Sequence, residues 1–377
     1  MPDRVKPSRL ELRLVAEIAG APTALEADCK RAELAAYLTR LGRVDEARAT
    51  LAALHQRYDS RPHVAISAWL NLVEGLVGHF GDMDPSARDK VLRSHALSTA
   101  AGLTPMRALS AAWLAHLDYL QVDVLSMSRH VTEALQLAGK SYHAARSRAH
   151  LVVAQAHHLA GHLDRALPWY SRARDHAVAD GDEATVSALM HNMAWLRAHD
   201  LRQRAFLELN PDNVTMHALM GAESTGNFDL LIGAVSLQSL VPVLRAQVLA
   251  ATGREAEALD LYESHLSPAL KEGMRRLKAD LLADIAWCRL KVGQVDRARE
   301  DAFLAEASID PAGQFDDRAL AHSRLAQVFD LLERSDAAAM HRSLAAETWA
   351  GHALLQARIV EALGDLSAIT AASRYPE

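Results

Sequence analysis

Cysteine is nearly absent from this 377-residue chain: Cys29 and Cys288 lie far apart and form no C-x-x-C pair. That excludes a disulfide framework and a thiolate zinc site, and it leaves two free thiols within helical patterns, expected to be buried. Aromatic residues make up only 5% of the chain, so small side chains must do much of the packing. No uncharged apolar run reaches the length of about 18 residues that a membrane span needs. The opening Met1-Pro2-Asp3-Arg4-Val5-Lys6-Pro7-Ser8 has no apolar segment of the kind that directs export. The chain is therefore expected in the cytoplasm, without a membrane partner. Its formal charge of -6 argues against a general affinity for nucleic-acid phosphates.

Catalytic punctuation is missing too. The chain contains no G-x-S-x-G, H-E-x-x-H or C-x-x-C. Gly139-Lys140-Ser141 resembles the end of a phosphate-binding loop, but Ala134 stands where that loop needs a glycine and no strand precedes it. His158 and His162 are four apart with Asp164 nearby, yet Gly161 breaks the helix between them and spoils a shared metal geometry. No enzymatic activity, cofactor or metal is expected.

What the chain does contain is a period of about 40 residues. The same short punctuation recurs at Leu41-Gly42 to Ala47, Ala160-Gly161 to Ala166, Thr252-Gly253 to Ala258 and Val292-Gly293 to Ala298. Upstream of each glycine, apolar residues recur with helical spacing, and a second amphipathic stretch follows. Each unit thus reads as helix, turn, helix. The glycine suits the left-handed residue that closes the first helix. Asp45, Asp164 or Asp296 suits the cap of the second, and the alanine allows the two helices to approach closely. Turns are expected near Gly42, Gly81, Gln121, Gly161, Leu201, Gly253, Gly293 and Glu333. An insertion at about 209–233, rich in turn residues, reads as a loop with a short added helix. Residues 10–18 read as a leading helix, and a final capping helix or pair of helices is expected over about 343–370.

Gly161, Ala166, Tyr170 and Ala173, with Gly253, Ala258 and Tyr262 and with Gly293, Ala298 and Ala305, resemble the tetratricopeptide repeat. The period is longer than that repeat's usual 34 residues, and is similar to extended arrays in bacterial sensor and regulatory proteins. The resemblance covers nearly the whole chain. It implies an all-α, right-handed superhelical α-solenoid of about eight helix-turn-helix units in one continuous domain.

In such arrays the first helix of each unit lines a concave face. Carrying over its exposed stripe selects Arg148, Leu151, Gln155 and His158, then His191, Asn192, Trp195 and Ala198, and later Gln247, Asp284, Trp287, Ser323, Arg324, Gln327 and Asp330. Amides can hydrogen-bond an extended peptide backbone, an arginine can pair with a carboxylate, and a tryptophan offers a flat anchor. The run Lys271, Arg275, Arg276 and Lys278 reads as the solvated start of a helix. The function expected is an adaptor or scaffold that binds a peptide or protein segment on its concave face. The alternative is a ligand-sensing regulator that acts through a partner. An apolar stripe on the last helix also suits a dimer contact.

The register around Gly161 makes a direct prediction. Ala166→Phe is expected to overpack the helix pair and to cost on the order of 1–3 kcal/mol in denaturant unfolding; an unchanged midpoint would contradict the assigned register.

Overall fold

The computed structural model describes residues 7–82, 84–206, 214–234, 238–364 and 366. These residues form seventeen α-helices, a π-helical turn at Gly78–Asp82 and a 3-10 turn at Met274–Leu277, with no strand among them. The fold is all-α. The helices are α1 (Arg9–Ala19), α2 (Ala24–Arg40), α3 (Val44–Tyr58), α4 (Val64–Val77), α5 (Ala87–Ala100), α6 (Thr104–Leu120), α7 (Val124–Leu137), α8 (His143–Leu159) and α9 (Leu163–Asp180). They continue with α10 (Glu183–Phe206), α11 (Val214–Ile232), α12 (Leu240–Ala251), α13 (Glu255–Lys271), α14 (Lys278–Lys291), α15 (Val295–Ala307), α16 (Phe315–Leu331) and α17 (Ser335–Leu363).

Within a pair, the turn is built by backbone geometry. Gly42, Gly161, Gly253 and Gly293 have φ of 84, 80, 79 and 85°, the left-handed region that glycine enters without a Cβ penalty. The following amide then reaches back to an open carbonyl of the first helix, as in Arg43 to Leu38 at 3.0 Å and His162 to His157 at 2.9 Å. Val122 and Glu333 hold the same conformation at φ of 60 and 57° without being glycine. The aspartates of the punctuation are not the caps. The capping positions fall on Arg43, His162 and Gln294, none with a side-chain cap bond, while Asp45, Asp164 and Asp296 sit inside the first turn. There their charge meets the positive end of the helix dipole instead.

Ala47, Ala166, Ala258 and Ala298 are each 0% exposed, as expected of small residues between paired helices. α2, α4, α6 and α8 pack in succession, as do α12, α14 and α16, each followed by a partner helix on one side. This layering buries the first helices deeply, most of all α8, which is buried at every position from Ala145 to His158. Its partner α9 buries only one stripe, Ala166, Trp169, Tyr170, Ala173 and Ala177. The stretch Val64–Gly81 is long and apolar enough by composition to cross a membrane, but half of it is buried inside the fold.

The chain divides into two compact units. The first comprises Met1–Leu189, Phe228–Ser236 and Arg358–Glu377; the second comprises Met190–Asn227 and Leu237–Ala357. In the first, α1 lies against the first-helix layer. Leu10 and Leu14 join Tyr37, Leu38, Leu41 and Ala184 in one apolar cluster, and the Leu10 amide donates to the Gly181 carbonyl at 3.3 Å. Also in this unit, the Ser128 hydroxyl donates to the Ala362 carbonyl at 2.7 Å.

Several expectations need correction. No turn forms at Leu201, which is 0% exposed within the unbroken 24-residue α10. Near Gly81 the chain passes through the π-helical turn rather than a left-handed glycine. In the 209–233 stretch, residues 209–213 lie outside the described residues, and Val214 to Ile232 is a single helix in place of a loop. Its turn-forming composition is overridden by packing: Ala218, Ala222 and Thr225 are each 1% exposed, and a Cβ on Gly226 would come within 3.3 Å of Val241. Gly226 serves close approach, not a bend. Of the final helix or pair expected over about 343–370, the single helix forms, as α17 from Ser335 to Leu363, while residues 365 and 367–370 lie outside the described residues. Of the two thiols, Cys288 is buried and Cys29 half-buried; both are free.

Candidate functional site

In the second unit, the first-helix faces carry charge where apolar packing is expected. Arg202 on α10, 1% exposed at its side chain, forms a bidentate pair with Asp280 on α14 at 2.7 and 2.6 Å. The same guanidinium lies 2.9 Å from Asp284. Asp284 also accepts from Arg324 Nε at 2.8 Å and from the Tyr262 hydroxyl at 3.0 Å. Gln247 Nε2 reaches Asp280 at 3.4 Å, and Arg324 donates to Gln327 at 2.8 Å. Burial alone would raise the Asp284 carboxyl, but the charges of Arg202 and Arg324 outweigh it and hold it below its usual range.

Aromatic rings flank this network. The Arg324 guanidinium lies 4.8 Å from the Trp287 ring and 4.6 Å from that of Phe206. Arg276 lies 5.7 Å from the Trp195 ring and pairs with Asp317, while accepting carbonyl Oε1 of Gln314 receives its second bond at 2.8 Å. The basic run is therefore not simply solvated: Arg276 is tied to α16. His199 Nε2 stands 3.4 Å from Asp316, and burial pushes its imidazole down to about 4. Three arginines thus face four aspartates. Burial raises Asp317 to about 7, and the neighbouring Asp316 and Asp280 charges add to it. The opposing charge of Arg276 is diluted because that side chain is 48% exposed.

The selected stripe residues divide by unit and by burial. In the first unit Arg148 and Gln155 are 3% exposed and His158 8%, not the open stripe expected. His158 Nδ1 lies 3.2 Å from the Tyr170 hydroxyl, bridging α8 to α9. In the second unit His191, Ala198, Gln247, Asp284 and Arg324 are also buried. Asn192, Trp195, Trp287, Ser323 and Gln327 remain half-buried, and Asp330 is exposed. The stripe closes because each first helix is flanked by neighbours of its own layer and by the second helices. Arg202, Asp280, Asp316 and Asp317 were not selected. Their signal was the placement of charges within otherwise apolar helices, above all Asp280 and Asp284 one turn apart in Ala279-Asp280-Leu281-Leu282-Ala283-Asp284. Among the described residues, no group of three or more His, Cys, Asp or Glu side chains is arranged to hold a metal ion.

No protein-family model and no curated protein sequence matches the chain. Among solved structures, the chain is similar to a Rap protein complexed with competence and sporulation factor, with a TM-score of 0.56 at 12% identity, covering 92% of both chains. That likeness is one of fold, and it makes the chain a helical repeat protein.

The proton on Asp317 gives a pH test. Between the ordinary carboxylate range and about 7, the folded chain holds a proton that the unfolded chain releases. Its contribution to stability is therefore complete at low pH and lost as pH rises through 7. Asp317→Asn, which imitates the protonated acid, is expected to change the urea midpoint little at about pH 4 and to raise it above wild type at about pH 8. A difference between the two proteins that does not vary with pH would contradict the assignment.

Proposed function

We propose that the chain is a non-enzymatic, tetratricopeptide-like adaptor that binds a peptide or protein segment. The binding face lies in the second unit, on α10, α12, α14 and α16. Its carrying observation is the polar and aromatic stripe on those first helices, where Trp195 and Trp287 lie beside Arg276 and Arg324. A purely structural layer is served better by apolar residues, because buried ion pairs seldom improve on well-packed hydrophobes. Asn192 and Gln327, both half-buried, offer amides to a peptide backbone, and the two indoles offer flat apolar surface. His191 and Gln247 lie deeper and support this face from beneath.

The similar fold of a Rap protein complexed with competence and sporulation factor supports a binding role for this architecture. It equally favours the second reading, a regulator that senses its ligand and acts through a partner. In both readings the ligand must interact differently with two states of the array to transmit anything.

Panning a library of displayed peptides against the purified chain is expected to enrich sequences that lose binding to an Asn192→Ala, Trp195→Ala variant whose urea midpoint is kept. Enriched peptides that bind this variant as well as wild type would remove the site from α10.

A further inference from the structure

In the first unit, a partly open cavity of about 30 Å³ has α1 as one wall. Its walls include Leu10 and Leu14 of α1, Trp69 and Leu72 of α4, Trp113 of α6 and Arg148 of α8. A space of this size holds about two water-sized centres, or the two oxygens of one carboxylate. Arg148 is 3% exposed, its guanidinium lies 4.0 Å from the Trp113 ring centroid, and its Nε–H has no hydrogen-bond partner.

The carboxylates around this cavity are already engaged. Asp182 pairs with Arg40 at 2.7 Å and Asp180 with Arg13 at 2.7 Å, while Glu33 pairs with Lys30 at 2.9 Å. None of the ion pairs among the described residues includes Arg148. The nearby His79 and His116 are neutral and leave Arg148 as the cation of this region: burial, helped by the charge of Arg148, lowers both, His79 to about 4. Burial likewise pushes Arg148 down, to about 9, which leaves it cationic at neutral pH. The buried Arg148 charge therefore has no carboxylate of its own: Asp182, which acts on it across the cavity, is paired with Arg40, whose like charge opposes Arg148, and a bound anion would offset that cost.

We propose that this cavity is a binding site for a small organic acid, whose carboxylate takes the N–H edge of Arg148 while Trp113 covers the guanidinium face. A planar carboxylate matches the guanidinium fork, whereas a spherical anion does not. The carboxylate fills the cavity, and its open side leaves room for no more than a short hydrocarbon stub. α1 forms one wall of the site through Leu10 and Leu14, and the small volume excludes an extended chain. α1 is also the wall most open to perturbation: eleven residues long, it is held by the buried Leu10 and Leu14, by the Leu10 amide bond to Gly181, and by the partly exposed pairs Arg13–Asp180, Glu11–Arg43 and Glu17–Lys30. This site lies in the first unit and does not depend on the peptide face of the second.

The test is the urea midpoint of the full chain as sodium acetate is added, against sodium chloride at equal ionic strength. Acetate is expected to raise the wild-type midpoint more than chloride does. Arg148→Met is expected to keep or raise the midpoint without acetate, since it removes an unpaired buried charge, and to raise the apparent dissociation constant for acetate at least about tenfold. Gly181→Ala, whose Cβ would meet Arg9 and the Leu10 nitrogen at 2.8 and 2.9 Å, lifts the start of α1 and is expected to ease acetate entry in stopped-flow mixing. The proposal is overturned if chloride matches acetate, if acetate protects Arg148→Met as well as wild type, or if Arg148→Met is itself destabilised. Tetra-alanine that stabilises more than acetate, and only with a free C-terminus, would overturn the small-acid assignment in favour of a chain end.

Discussion

The deep burial of the first helices, nearly complete in α6 and α8, is the constraint from which the rest of the structure follows. α6 is buried continuously from Ala108 to Asp118, and α8 from Ala145 to His158. Two things make this dense layer feasible. Alanines at Ala47, Ala166, Ala258 and Ala298 let the second helices close in, and left-handed turns return the chain within two or three residues. A polar side chain on such a helix has no water to fall back on. It must find a protein partner or carry an unfavourable desolvation term of several kcal/mol for a charge.

The two units meet this demand differently. In the second, Arg202, Asp280, Asp284, Arg324, Tyr262 and Gln247 join in a connected network that pairs every charge, although Arg202 Nε itself has no hydrogen-bond partner, so removing one member exposes the others to an uncompensated interior. That mutual dependence holds the first-helix faces at a defined spacing and leaves Asn192, Trp195, Trp287 and Gln327 at its margin, half-buried. In the first unit Arg40, Asp182 and Thr185 form a smaller closed set, with Arg40 donating at 2.7 and 2.9 Å. Arg148 stands outside that set, and it does so beside a cavity.

The repeat was legible where local chemistry is decisive. Gly42, Gly161, Gly253 and Gly293 stand out in the sequence because only a residue without Cβ enters φ near 80° at little cost. Leu201 was misplaced as a turn because period alone selected it. Nothing in Asp200-Leu201-Arg202 breaks a helix, and Leu201 packs with Ala198 and Val243. The α11 segment was misread for the opposite reason: Gly221, Ser224, Thr225 and Gly226 are turn formers in isolation, whereas here the Thr225 hydroxyl bonds the Gly221 carbonyl at 2.8 Å and the helix continues. At the site, the first-helix stripe could be selected from spacing, but its burial could not. Arg202 and Asp280 are separated by 78 residues, and no local pattern pairs them.

The most direct measurement is a double-mutant cycle on Arg202→Met and Asp280→Asn, followed by urea unfolding. If buried polar groups on the first helices stand only through their partners, each single change leaves a stranded group, and the double change costs less than the two together by about 2–3 kcal/mol. Costs that add to within about 0.5 kcal/mol would show that the two residues act independently, and would contradict that account of the first-helix layer.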